Sequence, residues 1–237
     1  MPRFDPDVWD QKIKNPDWYL DYVQLATQVK EEFGDVSTGQ KEFNKQARGF
    51  FEQALADGKV NLAKTGPNLD EVRLPIDRIV IHHTSAAPGY KLSYMEATQL
   101  LNIYAPTYAN AAATERGIKG KAIWSGHFKD GRISFLAYHW LMRMDGSFER
   151  LLDDNQIGRH AGNWQTNRRS IAICLDNDYE HKDPDSDLLK RVAEHIKKHY
   201  PYISKDQIIG HCEANKKTSC PGLNFLDGWK RELAKYF

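Results

Sequence analysis

The sequence predicts an α/β domain over residues 76–237, with a mixed central β-sheet flanked by helices, and a helical extension with a connector over residues 1–75. Three observations lead to this prediction. After residue 76, short apolar runs typical of buried strands alternate with amphipathic stretches. Before it, apolar residues recur at the helical period. A segment rich in turn-forming residues separates the two parts.

The extension is predicted to form a hairpin of two helices. The first has Asn15 as its capping residue and ends at Gly34. The second begins at Ser37, pairs it with Gln40 in a capping box, and ends near Gly58. This hairpin could be a separate binding or regulatory module or an extension packed on the main domain. Its apolar stripes favour the packed extension.

Residues 59–75 lose the helical period and are predicted to connect the two parts. The apolar run at 78–83 predicts a buried strand. Ser93 and Glu96 form a second capping box, which predicts a helix that ends near Tyr104.

Residues 105–134 show no sustained period, which predicts a long surface excursion of the kind that often shapes binding sites. Trp124, His127 and Phe128 would then lie along a groove or cover the edges of the core.

The remaining chain alternates predicted strands and helices. Two apolar runs flank Asp145-Gly146, a dipeptide that favours a β-hairpin. The predicted elements are strands at 135–142, 148–152, 170–175 and 207–210, and helices at 186–200 and 225–237.

Composition excludes several classes of function. The 33 basic residues nearly balance the 32 acidic ones, giving a formal charge of +1, so we expect no nucleic-acid partner. No window is apolar enough for a membrane span, and the first residues lack the apolar core of a signal peptide. We therefore expect a protein that is cytoplasmic as synthesised. Three cysteines are too few for a disulfide scaffold.

Two histidines and a cysteine are candidates for metal chemistry. His82 and His83 end the first predicted strand, where side chains alternate faces, so only one can enter a given site. Taken alone, the pair favours core or surface histidines over metal ligands. His211 ends the last predicted strand, and the following loop returns Cys220. A catalytic zinc ion takes three such ligands and keeps one position open, so these residues make a zinc site plausible.

Five motif blocks carry a resemblance to a known family. They occur in the order seen in type 2 N-acetylmuramoyl-L-alanine amidases, which include phage T7-type lysozyme and the peptidoglycan recognition proteins. The resemblance covers roughly residues 76–230 and leaves the first 70 or so residues outside it. The blocks are Val-Ile-His-His-Thr at 80–84, Ala-Tyr-His-Trp-Leu-Met at 137–142, Gly-Arg-His-Ala-Gly at 158–162, Asn-Arg-Arg-Ser-Ile-Ala-Ile at 167–173, and Gly-His at 210–211 followed by Ser-Cys-Pro-Gly at 219–222.

The resemblance implies roles for single residues. His82, His211 and Cys220 would be the ligands of a Zn²⁺ cofactor, and His83 would face away. Tyr138 and Thr218 would be catalytic, hydrogen-bonding the reacting groups or the oxyanion that forms.

Substrate contacts are implied for His160, Asn163 and Trp164, with a purely structural role as the alternative for His160. Cys174 stands where a branch that recycles muropeptides in the cytoplasm has a glutamate, and we expect it to be a buried thiol.

The implied fold is the type 2 amidase and recognition-protein fold. The implied function is hydrolysis of the amide between N-acetylmuramic acid and L-alanine in peptidoglycan, with a zinc-activated water as nucleophile. The partner would be peptidoglycan or a soluble muropeptide, met at the cell wall after release or export. Three alternatives remain: a recognition module that binds peptidoglycan without cutting it, an amidase that recycles soluble muropeptides, and a hydrolase of a different amide.

Overall fold

The structure, a computed structural model, describes residues 3–35 and 37–237. Helices and strands both contribute to the fold. The α-helices are α1 (Pro6–Lys12), α2 (Trp18–Phe33), α3 (Thr38–Ala56), α4 (Leu92–Gln99), α5 (Ala105–Ala109), α6 (Ala111–Glu115), α7 (Trp164–Asn167), α8 (Ser186–His199), α9 (His211–Ala214) and α10 (Lys230–Ala234). Single π-helical turns at Leu100–Tyr104 and Phe225–Trp229 precede α5 and α10, and a 3₁₀ turn spans Lys205–Gln207.

Seven strands occur in the described residues, in two sheets. They are β1 (Arg78–His83), β2 (His127–Lys129), β3 (Arg132–Ser134), β4 (Trp140–Met142), β5 (Phe148–Arg150), β6 (Ser170–Leu175) and β7 (Ile208–Gly210). The larger sheet has the order β5-β4-β6-β1-β7, in which only the β4–β5 pair is antiparallel. β2 and β3 form a separate antiparallel hairpin.

Two compact units divide the chain. The helical unit contains the described residues up to 69 together with residues 91–136, and the sheet unit contains residues 70–90 and 137–237. Aromatic side chains fill the core of the helical unit, and Phe51 is at its centre. Phe51 contacts Trp9, Trp18 and Tyr22 with ring centroids 6.1, 4.8 and 5.8 Å away.

The second predicted helix is confirmed, but its capping box is only half formed, because the Gln40 side chain donates to Asn44 and not back to Ser37. Ser37 caps α3 by accepting a hydrogen bond from the Gln40 backbone N–H. The first predicted helix differs at its start: α2 begins at Trp18, and Asn15 lies in a turn in which its carbonyl accepts from the Trp18 N–H. A separate short helix, α1, precedes it, capped by the Asp5 side chain.

The capping box predicted at Ser93 and Glu96 is wrong. α4 begins at Leu92, so Ser93 lies inside the helix, and the Ser93 hydroxyl donates to Glu52. Glu96 is buried and accepts from the Ser134 hydroxyl and the Phe135 N–H. These long-range donors engage the carboxylate that a local cap would have used.

The predicted excursion at 105–134 is more regular than expected. It contains α5, α6 and the β2–β3 hairpin. His127 is buried, whereas Phe128 is exposed and stands edge-on to Trp124, with centroids 5.5 Å apart.

The sheet unit confirms the predicted mixed sheet flanked by helices. One face of the sheet presents Ile79 and Ile81 of β1 to a core that includes Val192 and Ile196 of α8. The opposite face carries the alternate residues of β1 and β6. β1 and β6 match the predicted strands at both ends, and the Asp145-Gly146 turn joins β4 to β5 as predicted. The predicted boundary at residues 75/76 stays a prediction. No helix in the described ranges is long and apolar enough to cross a membrane.

Candidate metal centre

His82 lies at the end of β1 on the face opposite the α8 core. Strand alternation requires this, because Ile81 and Ile79 take the other face. His82 is fully buried and pairs in register with Cys174 of β6. His83 points elsewhere: its Nδ1 accepts from the Tyr179 N–H at 2.9 Å. The strand therefore delivers His82, and not His83, to this face.

His211 and Cys220 are placed by the turn that follows β7. Gly210 ends the strand and α9 begins at His211. A Cβ on Gly210 would lie 2.6 Å from the Phe225 ring, so only glycine permits this packing. The Cys220 carbonyl accepts from the Cys212 N–H at 2.7 Å, which ties the returning loop to the start of α9.

These three side chains form a group that could hold a metal ion. The ligand atoms of His82, His211 and Cys220 all lie within 4.8 Å of one another. His82 Nδ1 is 3.7 Å from Cys220 Sγ. Nitrogen and sulfur ligands of a tetrahedral zinc are about 3.5 Å apart, given bonds of ~2.0 and ~2.3 Å. The distance between His82 and Cys220 and the donor set both fit zinc.

His211 offers an uncommitted ligand atom. Its Nε2 is buried and has no hydrogen-bond partner among the described residues. Elsewhere on the ring, His211 interacts with the Ala161 backbone carbonyl. Burial lowers the pKa of His211, and it lowers the pKa of His82 well below its usual range. Both imidazoles are therefore neutral, which is the form that binds metal.

Cys220, unlike the two histidines, must be charged to bind a metal, because the ligand is the thiolate. Burial raises the pKa of its thiol to about 12, although the His83 backbone N–H donates to the sulfur and works against the rise. A thiolate here therefore needs a nearby cation. A divalent metal ion between the two imidazoles would supply that charge.

His160 lies next to His82, in the interior of the site. It is only 5% exposed, and its Nδ1 is 2.9 Å from His82 Nε2. Its Nε2 is 3.1 Å from the Ser170 hydroxyl. The predicted substrate contact by His160 stays a prediction.

Tyr138 also lies beside the three candidate ligands. Its ring centroid is 4.9 Å from that of His82. Burial raises the pKa of Tyr138 well above its usual range, and the nearby Cys174 and Cys220 thiols act in the same direction. The phenol is therefore a neutral group that can both donate and accept.

Thr218 is held against the third ligand. Its Oγ1 accepts from the Cys220 N–H at 3.1 Å. Accepting uses a lone pair of the hydroxyl and not its hydrogen, so this contact does not use up the donor capacity of Thr218.

Asn163 and Trp164 lie at the start of α7. Asn163 is the N-cap and accepts from the Thr166 N–H at 3.1 Å, so it stabilises this short helix. Trp164 is 43% exposed, and its role as a substrate contact stays a prediction.

The sequence did not indicate two contacts of the centre. Ser170 is fully buried and reaches His160, and Ala161 supports His211 through its backbone. Ser170 lies within a motif block, but its spacing from His160 does not indicate that the two side chains meet. The contact of Ala161 with His211 is made by the backbone, so no residue type in the sequence indicates it.

A comparison with known families identifies the chain's relatives. Residues 72–223 match the family described as N-acetylmuramoyl-L-alanine amidase. The chain belongs to this family. The resemblance predicted from the five motif blocks is therefore confirmed, and the family match includes all the candidate site residues.

Individual relatives are distant. The 1,6-anhydro-N-acetylmuramyl-L-alanine amidase AmpD of Haemophilus influenzae is 29% identical over 104 residues, and the match covers 40% of this chain and 56% of that protein. A peptidoglycan-recognition protein of Drosophila melanogaster is 23% identical, with 70% of this chain and 79% of the relative covered. Among solved structures, the amidase LysC of Clostridium intestinale is 20% identical with a TM-score of 0.44, and the match covers 74% of this chain and 93% of that chain.

Proposed function

We propose that this protein is a zinc-dependent amidase that cleaves the bond between N-acetylmuramic acid and L-alanine in peptidoglycan. The observation that carries the proposal is the convergence of His82, His211 and Cys220 in a chain that belongs to the amidase family. The catalytic domain would span residues 76–237, with residues 1–75 as its extension.

His82, His211 and Cys220 would hold the zinc ion. Bound there, zinc supplies a Lewis acid that polarises the scissile carbonyl and makes a water more acidic. The protein's own contribution is to keep both imidazoles neutral by burial and to stabilise the cysteine sulfur with the His83 N–H.

Tyr138 and Thr218 would act on the reacting carbonyl. The neutral Tyr138 phenol can donate a hydrogen bond to the oxygen on which negative charge develops. The Thr218 hydroxyl, positioned by the Cys220 N–H, can donate a second one. Fixed donors of this kind stabilise the developing charge without reorganisation.

Two observations favour an enzyme over a module that only binds peptidoglycan. The thiol of Cys220 completes the ligand set, and the Tyr138 phenol stands beside it. Recognition of a carbohydrate–peptide surface requires neither group. Trp164, with its exposed ring, and Asn163 remain proposed substrate contacts, together with His160.

The names of the relatives indicate two substrate forms. One relative is named as an amidase of 1,6-anhydro-muramyl compounds and another as a peptidoglycan-recognition protein. This chain has the neutral, buried Cys174 where the muropeptide-recycling branch has a carboxylate. We therefore propose that intact wall peptidoglycan, and not the soluble muropeptide, is its substrate.

Mass spectrometry of digested sacculi tests this proposal. The zinc-loaded protein should release stem peptides with a free L-alanine amino terminus and leave the glycan strands intact. Cys220→Ser should abolish both this release and stoichiometric zinc, because the thiolate ligand is lost.

The matched control is Cys212→Ser, a nearby thiol outside the candidate ligand set. It should retain zinc and most of the activity. Products cut within the glycan or between peptide residues would refute the proposed bond. Turnover of purified soluble muropeptides alone would refute the preference for the intact wall.

A further inference from the structure

A buried chain of hydrogen bonds leads away from the candidate metal centre. His82 Nε2 meets His160 Nδ1 at 2.9 Å, His160 Nε2 meets the Ser170 hydroxyl at 3.1 Å, and that hydroxyl meets the Thr166 carbonyl at 2.7 Å. All four residues are buried, with exposures between 0% and 7%. Water therefore does not compete for these contacts.

The direction of the chain is set at its Thr166 end. A carbonyl oxygen only accepts, so the short contact with Thr166 requires the Ser170 hydrogen. A serine hydroxyl has one hydrogen, so Ser170 can only accept from His160. His160 therefore carries its hydrogen on Nε2.

The same reasoning continues to the metal ligand. A neutral imidazole has one N–H, so His160 Nδ1 is an acceptor. His82 must then donate from Nε2, which leaves the lone pair of its Nδ1 free. This nitrogen is the one that lies 3.7 Å from Cys220 Sγ.

We propose that His160 and Ser170 are positioning residues that fix His82 in the Nε2–H tautomer and so direct its Nδ1 lone pair at the metal. The proposal rests on the proposed function for the identity of the metal, but the tautomer itself does not depend on it. In this role both ring nitrogens of His160 are engaged inside the centre, so its proposed contact with substrate would be through ring carbon atoms. Partners of this kind typically change metal affinity 10–100-fold.

Nuclear magnetic resonance tests the tautomer directly in the metal-free wild-type protein. Long-range ¹H–¹⁵N correlation spectra of protein labelled at histidine distinguish the two neutral tautomers. His82 and His160 should both be protonated at Nε2. A hydrogen on Nδ1 of His82 would overturn the proposal, and this measurement needs no variant that might fail to fold.

Zinc affinity tests the consequence. His160→Leu removes the acceptor and should raise the zinc dissociation constant about 10-fold or more, measured against a competing chelator. His160→Asn places an amide oxygen near the lost Nδ1 acceptor and should recover part of the affinity. Ser170→Ala should weaken zinc less, because it removes only the residue that orients His160.

The matched control is His195→Leu, which replaces a buried histidine of α8 outside the centre. It should leave zinc affinity unchanged. If folded His160→Leu binds zinc within about twofold of wild type, the proposal is wrong. If the wild type binds no zinc, the proposed function fails, and the tautomer measurement still decides the proposal made here.

Discussion

Tyr138 carries a hydroxyl group that phenylalanine lacks. Tyr138→Phe therefore removes this group and keeps the ring that packs near His82. Tyr138→Phe should lower the rate of amide cleavage by about 100-fold or more, the usual effect of losing one donor to an oxyanion. Zinc content should stay at the wild-type level, because the phenol is not a ligand.

Tyr202→Phe is the control, since Tyr202 is 59% exposed and lies outside the centre. Both variants would be assayed for peptide release and for bound zinc. A Tyr138→Phe enzyme with the wild-type rate would remove Tyr138 from the mechanism.

Two buried histidines of the sheet unit make its stability depend on pH. Burial lowers the pKa of His139 to about 3 and that of His195 to about 4. In the unfolded chain each group has a pKa of about 6.5. The unfolded state therefore binds more protons as the pH falls below 6.5, and the free energy of unfolding falls with it. Above about pH 8 both groups are neutral in the folded and the unfolded state, so neither contributes a slope.

His195→Phe isolates one of these contributions. It keeps a ring stacked on Phe148, whose centroid lies 3.7 Å from that of His195, and removes the titrating group. Between pH 6.5 and about 4 the variant should lose stability less steeply than the wild type, by up to ~1.4 kcal/mol per pH unit. Denaturant titrations at several pH values measure this. Equal slopes in both proteins would contradict the pKa shift.

The candidate ligands could be predicted from the sequence because the family motifs occur in a fixed order along the chain. Spacing alone did not distinguish His82 from His83; strand alternation in the structure does. The contact between His82 and His160 joins residues 78 positions apart. Such a pairing depends on how the loop that contains His160 packs against the sheet, and no local sequence pattern predicts it.

Among the elements, α4 and the β2–β3 hairpin of the helical unit are joined through one buried carboxylate. Glu96 accepts from the Ser134 hydroxyl at 2.6 Å, from the Phe135 N–H at 3.2 Å and from Arg132 at 2.9 Å. Glu96→Ala should lower the free energy of unfolding by about 2–4 kcal/mol, because it leaves buried donors unpaired.

Glu115→Ala on α6 is the control, since this glutamate is exposed. Its effect should stay within about 0.5 kcal/mol. Chemical denaturation of both variants gives the comparison. A change in Glu96→Ala as small as that of the control would show that the contacts of Glu96 do not stabilise the unit.

Elements with a long, regular pattern were predictable, and short ones were not. Ser37 caps α3 as expected because its partner is local. At α4 the same three-residue spacing, between Ser93 and Glu96, is misleading, because Glu96 accepts from buried donors near the hairpin instead. α1, α5 and α6 have seven residues or fewer, which is too short for a helical period to show in the sequence.

For the molecule as a whole, a bound metal should stabilise the folded state by mass action. Free zinc at about 100 times its dissociation constant adds ~2.7 kcal/mol to the free energy of unfolding. The melting temperature should therefore fall on chelation and recover when zinc is returned. Cys220→Ser should show neither change. A wild-type melting temperature that is the same with and without zinc would count against a metal bound to the native state.

The mixed sheet was predictable at this scale because the continuous apolar runs of β1 and β6 mark buried central strands. The division into two compact units was not, because residues 91–136 group with the N-terminal helices through contacts distant in sequence.

A zinc titration of the chelated protein, followed by release of stem peptides from sacculi, tests the central claim most directly. The rate should rise in proportion to added zinc and reach a plateau at one ion per chain, as expected for a single site built from His82, His211 and Cys220. A full rate before any zinc is added, or no peptide release after one equivalent, would contradict the account.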